Sequence, residues 1–205
     1  MPKAVRQTSP DSRGTSTYRS GFRAAIRGLW SGVMDRGQFW DAMSANIVIG
    51  LKAAWTAGAA ECGIAFDELT ADELNALQKA IDYEHLWIGG LANTIEENSK
   101  VKGGKLAPLF ARIEIWIGRW EGIVSQARTM ACGDKKLKWE TGPTEHCDSC
   151  KKLDGKVKRA SWWNDNGILP RVHGAWYLDC KGFRCECTLE QTDDPLSRGR
   201  MPSLP

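Results

Sequence analysis

Apolar residues recur at three- and four-residue spacing through the first two-thirds of the chain. Tyr18, Phe22, Ile26, Leu29, Trp30 and Val33 form one series, and Phe39, Met43, Ile47, Leu51 and Trp55 a second. Such spacing stacks side chains on one face of an α-helix, so each series predicts an amphipathic helix. Thr70-Ala71-Asp72-Glu73 has the form of a capping box and opens a third helix, with Leu74, Leu77, Ile81 and Trp87 along its buried side. Gly103 and Gly104 turn the chain after it. A fourth helix runs from about Pro108 to Met130, carried by Leu109, Ile113, Trp116, Ile117, Trp120, Val124 and Ala127, with Gly133 as its C-cap. Trp116 and Trp120, one turn apart, read as packed core. Cys62 and Cys132 read as small buried cysteines, and His85 as a structural side chain.

Near residue 133 the pattern changes to turns, short strands and cysteines. Between 134 and 187 the aliphatics Leu137, Val157, Ile168, Leu169 and Leu178 stand nearly isolated. The expected fold is therefore α+β: a mainly helical region of about four long helices, then a small module of short strands and turns stapled by zinc. The expected divisions are an arm at 1–17, a helical domain at 18–133, a cysteine-rich module at 134–190 and an extended tail at 191–205.

Composition adds limits. The 205 residues are 42% hydrophobic and 26% charged, which is globular rather than disordered. The net charge of +3 is too small to imply nucleic acid by itself, but it is uneven. Residues 1–28 carry six Lys or Arg against Asp11 alone, so the arm is basic and expected to be flexible. No apolar leader and no stretch of about 18 apolar residues is present, which leads us to expect no membrane span and a reducing cytoplasm. In that setting clustered cysteines hold metal more often than they form disulfides.

Five of the seven cysteines fall within the module: Cys147, Cys150, Cys180, Cys185 and Cys187. Structural zinc takes four thiolate or imidazole ligands, commonly from two short loops. The C-x2-C pair at 147 and 150 supplies one loop and the C-x4-C-x-C group the other, so four of these five cysteines are the expected ligands. Cys180 with Cys185, or Cys185 with Cys187, completes the set. The first pairing is preferred because a C-x-C pair in extended chain points its side chains to opposite faces. His146 and His173 read as neighbours of the thiols. A thioredoxin-like site wants a helix after its C-x2-C, whereas Asp154-Gly155 predicts a turn. The tryptophans Trp139, Trp162, Trp163 and Trp176 are expected to pack around the metal.

Lys151, Lys152, Lys156, Lys158 and Arg159 lie beside the first cysteine pair. They suit contacts with nucleic acid or a partner, and suit equally the balancing of a thiolate centre. No metalloprotease motif, nucleophile elbow or paired catalytic carboxylates appears, so no enzyme is expected.

The order of elements from Trp139 to Glu190 resembles that of the minor head proteins of tailed bacteriophages, the head morphogenesis proteins of the Mu F-like type. The resemblance rests on Cys147 and Cys150, Leu153 and Gly155, Pro170 and His173, and Cys185, Cys187 and Leu189, over about a quarter of the chain. The sequence departs from that pattern in the distance of His173 from Cys185 and in the added Cys180. The resemblance implies a structural virion protein at the portal or head–tail vertex, active in assembly and in DNA packaging or delivery. Its partners would be portal, capsid and head–tail proteins, with DNA as a further contact, in an oligomeric setting. It would reside in the virion, and in the host cytoplasm during assembly. The alternative is a stand-alone zinc-ribbon protein that binds nucleic acid.

Overall fold

The computed structural model describes residues 11–143, 145–172, 175–182 and 185–205, with the side chains of 11–13 left aside. The arm up to residue 10 and His173 lie outside the described residues.

Helix α1 (Asp11–Ser31) and helix α2 (Arg36–Ala60) form a hairpin. The first helix starts within the stretch expected as a flexible arm, so residues 11–17 belong to a helix. Asp35 closes the turn into α2: its carboxylate accepts from the Gln38 N–H at 2.8 Å, and Gln38 accepts from the Asp35 N–H at 3.0 Å. Helix α3 (Ala71–His85) opens on the box expected at Thr70, where Glu73 accepts from the Thr70 N–H at 2.8 Å.

The third helix does not continue through Trp87. It stops at His85, and α4 (Ile88–Glu97) starts afresh. Gly89 and Gly90 weaken the helix there. The bend also changes partners: α3 packs on α2, whereas α4 turns Ile88, Leu91, Ala92 and Ile95 onto α1 and α2. Leu86 and Trp87 are left exposed on the bend, and Leu74 and Val33 are exposed elsewhere; of these, Trp87, Leu74 and Val33 are expected inside from their spacing. After a short α5 (Ala107–Ala111), helix α6 (Ile113–Ala131) runs along α2 and buries Trp116 and Trp120 in the core. Gly58 makes the α2–α6 approach possible, because a Cβ there would collide with the Val124 carbonyl.

The rest of the chain builds a second core on a three-stranded antiparallel sheet. Its elements are β1 (Lys136–Glu140), α7 (Asp148–Leu153), β2 (Val157–Arg159), α8 (Ala160–Asp165) and β3 (Thr188–Gln191). The strand order is β2-β1-β3, with Trp139 opposite Leu189 and Leu137 opposite Lys158. Alternation along β1 sends Leu137 and Trp139 inward, where Trp163 lies against Trp139 and donates its indole N–H to the Leu137 carbonyl at 3.1 Å. The aliphatics that look isolated in sequence (Leu137, Ile168, Leu169 and Leu178) meet in this core with Leu153 and Leu189. Trp176 does not join it and stays 73% exposed, with Lys181 over its ring.

The tail returns to its own module. Ser197 exchanges hydrogen bonds with Val157, and Met201 and Leu204 pack on the second core. The two cores pack together along α6, against α8 and the Arg171 loop, and are tied covalently at one corner. Cys62, just past α2, and Cys132, just past α6, are disulfide-bonded with Cα atoms 5.5 Å apart, not separate thiols. Beside them Arg128 of α6 donates to Glu61 at 2.6 Å and to the Leu189 carbonyl of β3 at 2.6 Å. The molecule is α+β, mostly helical, with a small sheet and a cysteine-rich C-terminal region.

Candidate metal centre

The first cysteine pair sits at the start of a short helix. Cys147 takes the extended backbone of an N-cap and Cys150 lies one turn later on α7, so both sulfurs face the same side. The sequence predicts only a turn here. The Asp154-Gly155 turn follows the helix, with Gly155 at φ 72°. Asp154 holds the loop from the other end by accepting from the Thr141 N–H at 3.0 Å.

Asp179 brings the second group of cysteines to the first. Its carboxylate accepts from the Ser149 N–H at 2.9 Å and the Ser149 hydroxyl at 2.6 Å, and Ser149 accepts from the Asp179 N–H at 3.1 Å. This reciprocal pair places Cys180 beside α7. Arg171 fixes the loop of Cys185 and Cys187. Its guanidinium donates to the Cys187 carbonyl at 3.0 Å and the Glu186 carbonyl at 2.8 Å, and forms an ion pair with Glu121 of α6. Arg171 itself adopts a left-handed backbone, φ 63°, and its carbonyl approaches α6 where Gly122 leaves room.

All five module cysteines converge. Their sulfurs fall into two triads, Cys147/Cys150/Cys180 and Cys150/Cys185/Cys187, each mutually within 4.8 Å, and Cys150 belongs to both. The Cys150 and Cys185 sulfurs are 3.9 Å apart. Cys187 reaches the cluster as well as Cys185 does, because residues 185–187 are not in a strand and the opposite-face argument lapses. Cys150 and Cys187 are buried, while Cys147, Cys180 and Cys185 are half-buried.

His146 borders this cluster at Cys187. Its Nδ1 lies 3.5 Å from the Cys187 sulfur, and its Nε2 is 2.8 Å from the Gly142 carbonyl. A carbonyl can only accept, so Nε2 carries the proton and Nδ1 turns a lone pair toward the sulfurs. Metal-ligating histidines commonly have this arrangement, in which the far ring nitrogen donates to a backbone carbonyl.

The thiols perturb one another strongly. Hydrogen bonds to Cys180, Cys185 and Cys187 hold the Cys150 thiol far above its ordinary range. The bond from Cys150 drives Cys185 far below. At Cys180 and Cys187 the pull of Cys150 is outweighed by Cys185 and by burial, which lift both to about 12. Thiolates this close cannot ionise together without a cation between them. The cluster has the donor set to hold a metal ion.

The basic residues beside the knuckle are turned to internal tasks. Lys152 donates to the Ser203 carbonyl at 3.2 Å, Lys158 to the Ser197 carbonyl at 3.1 Å and Arg159 to the Asp134 carbonyl at 2.6 Å. Lys151 lies 3.7 Å from Asp148, and Lys156 is half-buried in the turn before β2. Sequence reasoning passed over Asp179 and Arg171. The only signal for the first is its place next to Cys180, and for the second there is none. No helix among the described residues is long and apolar enough to cross a membrane. Neither a known protein family, nor a curated protein, nor a solved structure matches the chain.

Proposed function

We propose that this chain is a non-catalytic structural protein of a tailed-phage head, of the minor head or head morphogenesis type. It would act at the portal or head–tail vertex during assembly and DNA packaging or delivery, with a structural zinc ion in its C-terminal module. The observation that carries the reading is the convergence of the residues behind the resemblance. Cys147, Cys150, Cys185 and Cys187 meet in one cluster, Leu153 and Leu189 are fully buried beneath it, and Gly155 makes the turn. A Zn–S bond of about 2.3 Å in a tetrahedron sets sulfurs about 3.8 Å apart, and a Zn–N bond of about 2.0–2.1 Å sets nitrogen and sulfur about 3.6 Å apart. The 3.9 Å between Cys150 and Cys185 and the 3.5 Å between His146 and Cys187 fit both edges. Zinc would cross-link the two loops, adding to the Ser149–Asp179 contacts and the strands that already join them.

The nucleic-acid alternative needs the cations of 151–159 as a common phosphate-binding face. Three of them donate instead to carbonyls of the protein itself, which favours the assembly reading.

Quantitative mass spectrometry of purified phage particles encoding the chain tests the proposal. A few to a few tens of copies per particle is the expected result. Absence from the particles at every stage of assembly would overturn it.

A further inference from the structure

The sulfur arrangement does not describe a single tetrahedron. In one tetrahedral site the four donors are all mutual neighbours. Here five sulfurs form two triads that meet at a single atom, the Cys150 sulfur. That is the pattern of two coordination spheres sharing a vertex, with one thiolate bridging two ions.

Resting on the reading that this cluster binds zinc, we propose that it holds two zinc ions bridged by Cys150. The first sphere is Cys150, Cys185 and Cys187, three mutually adjacent thiolates, with its fourth position on the side of His146, whose Nδ1 lies 3.5 Å from the Cys187 sulfur. One of its edges is the 3.9 Å Cys150–Cys185 separation, and the neighbouring imidazole is already oriented by the Gly142 carbonyl. The second sphere is Cys147, Cys150 and Cys180, with solvent in the fourth position. Cys147 and Cys180 are half-buried, which leaves that position within reach of water.

The arrangement accounts for two things that a single ion leaves over. Five thiols stand where four would serve, and a fifth thiol packed against a four-thiolate centre would have to stay protonated beside a net charge of −2. With two Zn²⁺ and five thiolates, the five thiol protons leave for solvent and the cluster carries −1. The Arg171 guanidinium, donating to the carbonyls of Glu186 and Cys187, stands close enough to offset it. A bridging thiolate also explains why the Cys150 sulfur sits at the centre of the group and almost wholly buried.

Native mass spectrometry of the full chain, loaded with zinc and exchanged into metal-free buffer, counts the ions directly. Two zinc ions per chain are expected, falling to one in Cys180→Ser, which leaves the first sphere whole. Cadmium-113 resonances of the cadmium-loaded chain give a second reading: two signals of unequal shift, one of them lost in Cys180→Ser. One zinc ion per wild-type chain and one cadmium signal would overturn the bridged pair and leave a single structural site standing. No bound metal would sink both readings.

Discussion

Glu84 is the residue whose placement costs the helical core most visibly. It lies on α3, almost fully buried, with Arg119 of α6 only 3.3 Å away. Burial raises its carboxyl to about 7 in spite of Arg119. A carboxyl raised on folding binds its proton more tightly in the native state, so native stability is greatest below the unfolded value and falls as the pH rises to about 7. Glu84→Gln removes that titration and keeps an acceptor for Arg119. Between pH 5 and pH 8 the wild type should lose on the order of 3 kcal/mol relative to the variant, read by urea unfolding at each pH. Parallel pH curves for the two proteins would show that Glu84 does not titrate in this range. Nothing in the sequence singles out Glu84, because burial of a polar residue on an amphipathic helix depends on where the next helix crosses. The same limit explains Val33, Leu74 and Trp87, whose spacing fits a buried face but which stand exposed among the described residues.

At the scale of elements, the periodic signal was sufficient for α1, α2 and α6 and for the Thr70 cap, because each depends on residues within a turn or two. It failed at Leu86–Trp87, where the buried spacing runs on through a bend made by the choice of packing partner. It failed again at Asp148–Leu153, where six residues are too few to show a helical period. The α2–α6 contact depends on a residue that periodicity cannot weigh, Gly58. Gly58→Ala drives a methyl into the Val124 carbonyl and against Ala127, and should destabilise the protein by about 1–3 kcal/mol. Gly118→Ala on α6 meets no atom within 4 Å and should be stabilising by about 0.5–1 kcal/mol through helix propensity alone. Thermal unfolding of the two variants side by side separates packing from propensity, and equal shifts would remove the close-approach role of Gly58.

At the scale of the molecule, the cysteine spacing was enough to bring Cys147, Cys150, Cys180, Cys185 and Cys187 forward as a group. The pairing of Cys62 with Cys132 was not legible, because it joins positions 70 residues apart through the packing of α2 on α6. Nor was the return of Met201 and Leu204 to the second core, since isolated apolar residues in a Pro-rich tail have no period. Two separate cores predict separable unfolding. Chelation of metal should abolish the near-ultraviolet signal of Trp139 and Trp163, which pack in the cysteine module, while the far-ultraviolet helical signal persists. Loss of both signals together would mean that the cores unfold as one unit.

The Cys62–Cys132 bond also sets how the protein carries tension. A pull entering through the cysteine module and leaving through α1 passes from Cys132 straight to Cys62. Helices α3 to α6 lie in a covalently closed loop off that path. About 250 Å of potential extension, 70 residues at roughly 3.6 Å each, is thereby withheld from the stretched chain. Reduction of the one bond would convert the molecule from a short, stiff tether into a long, compliant one.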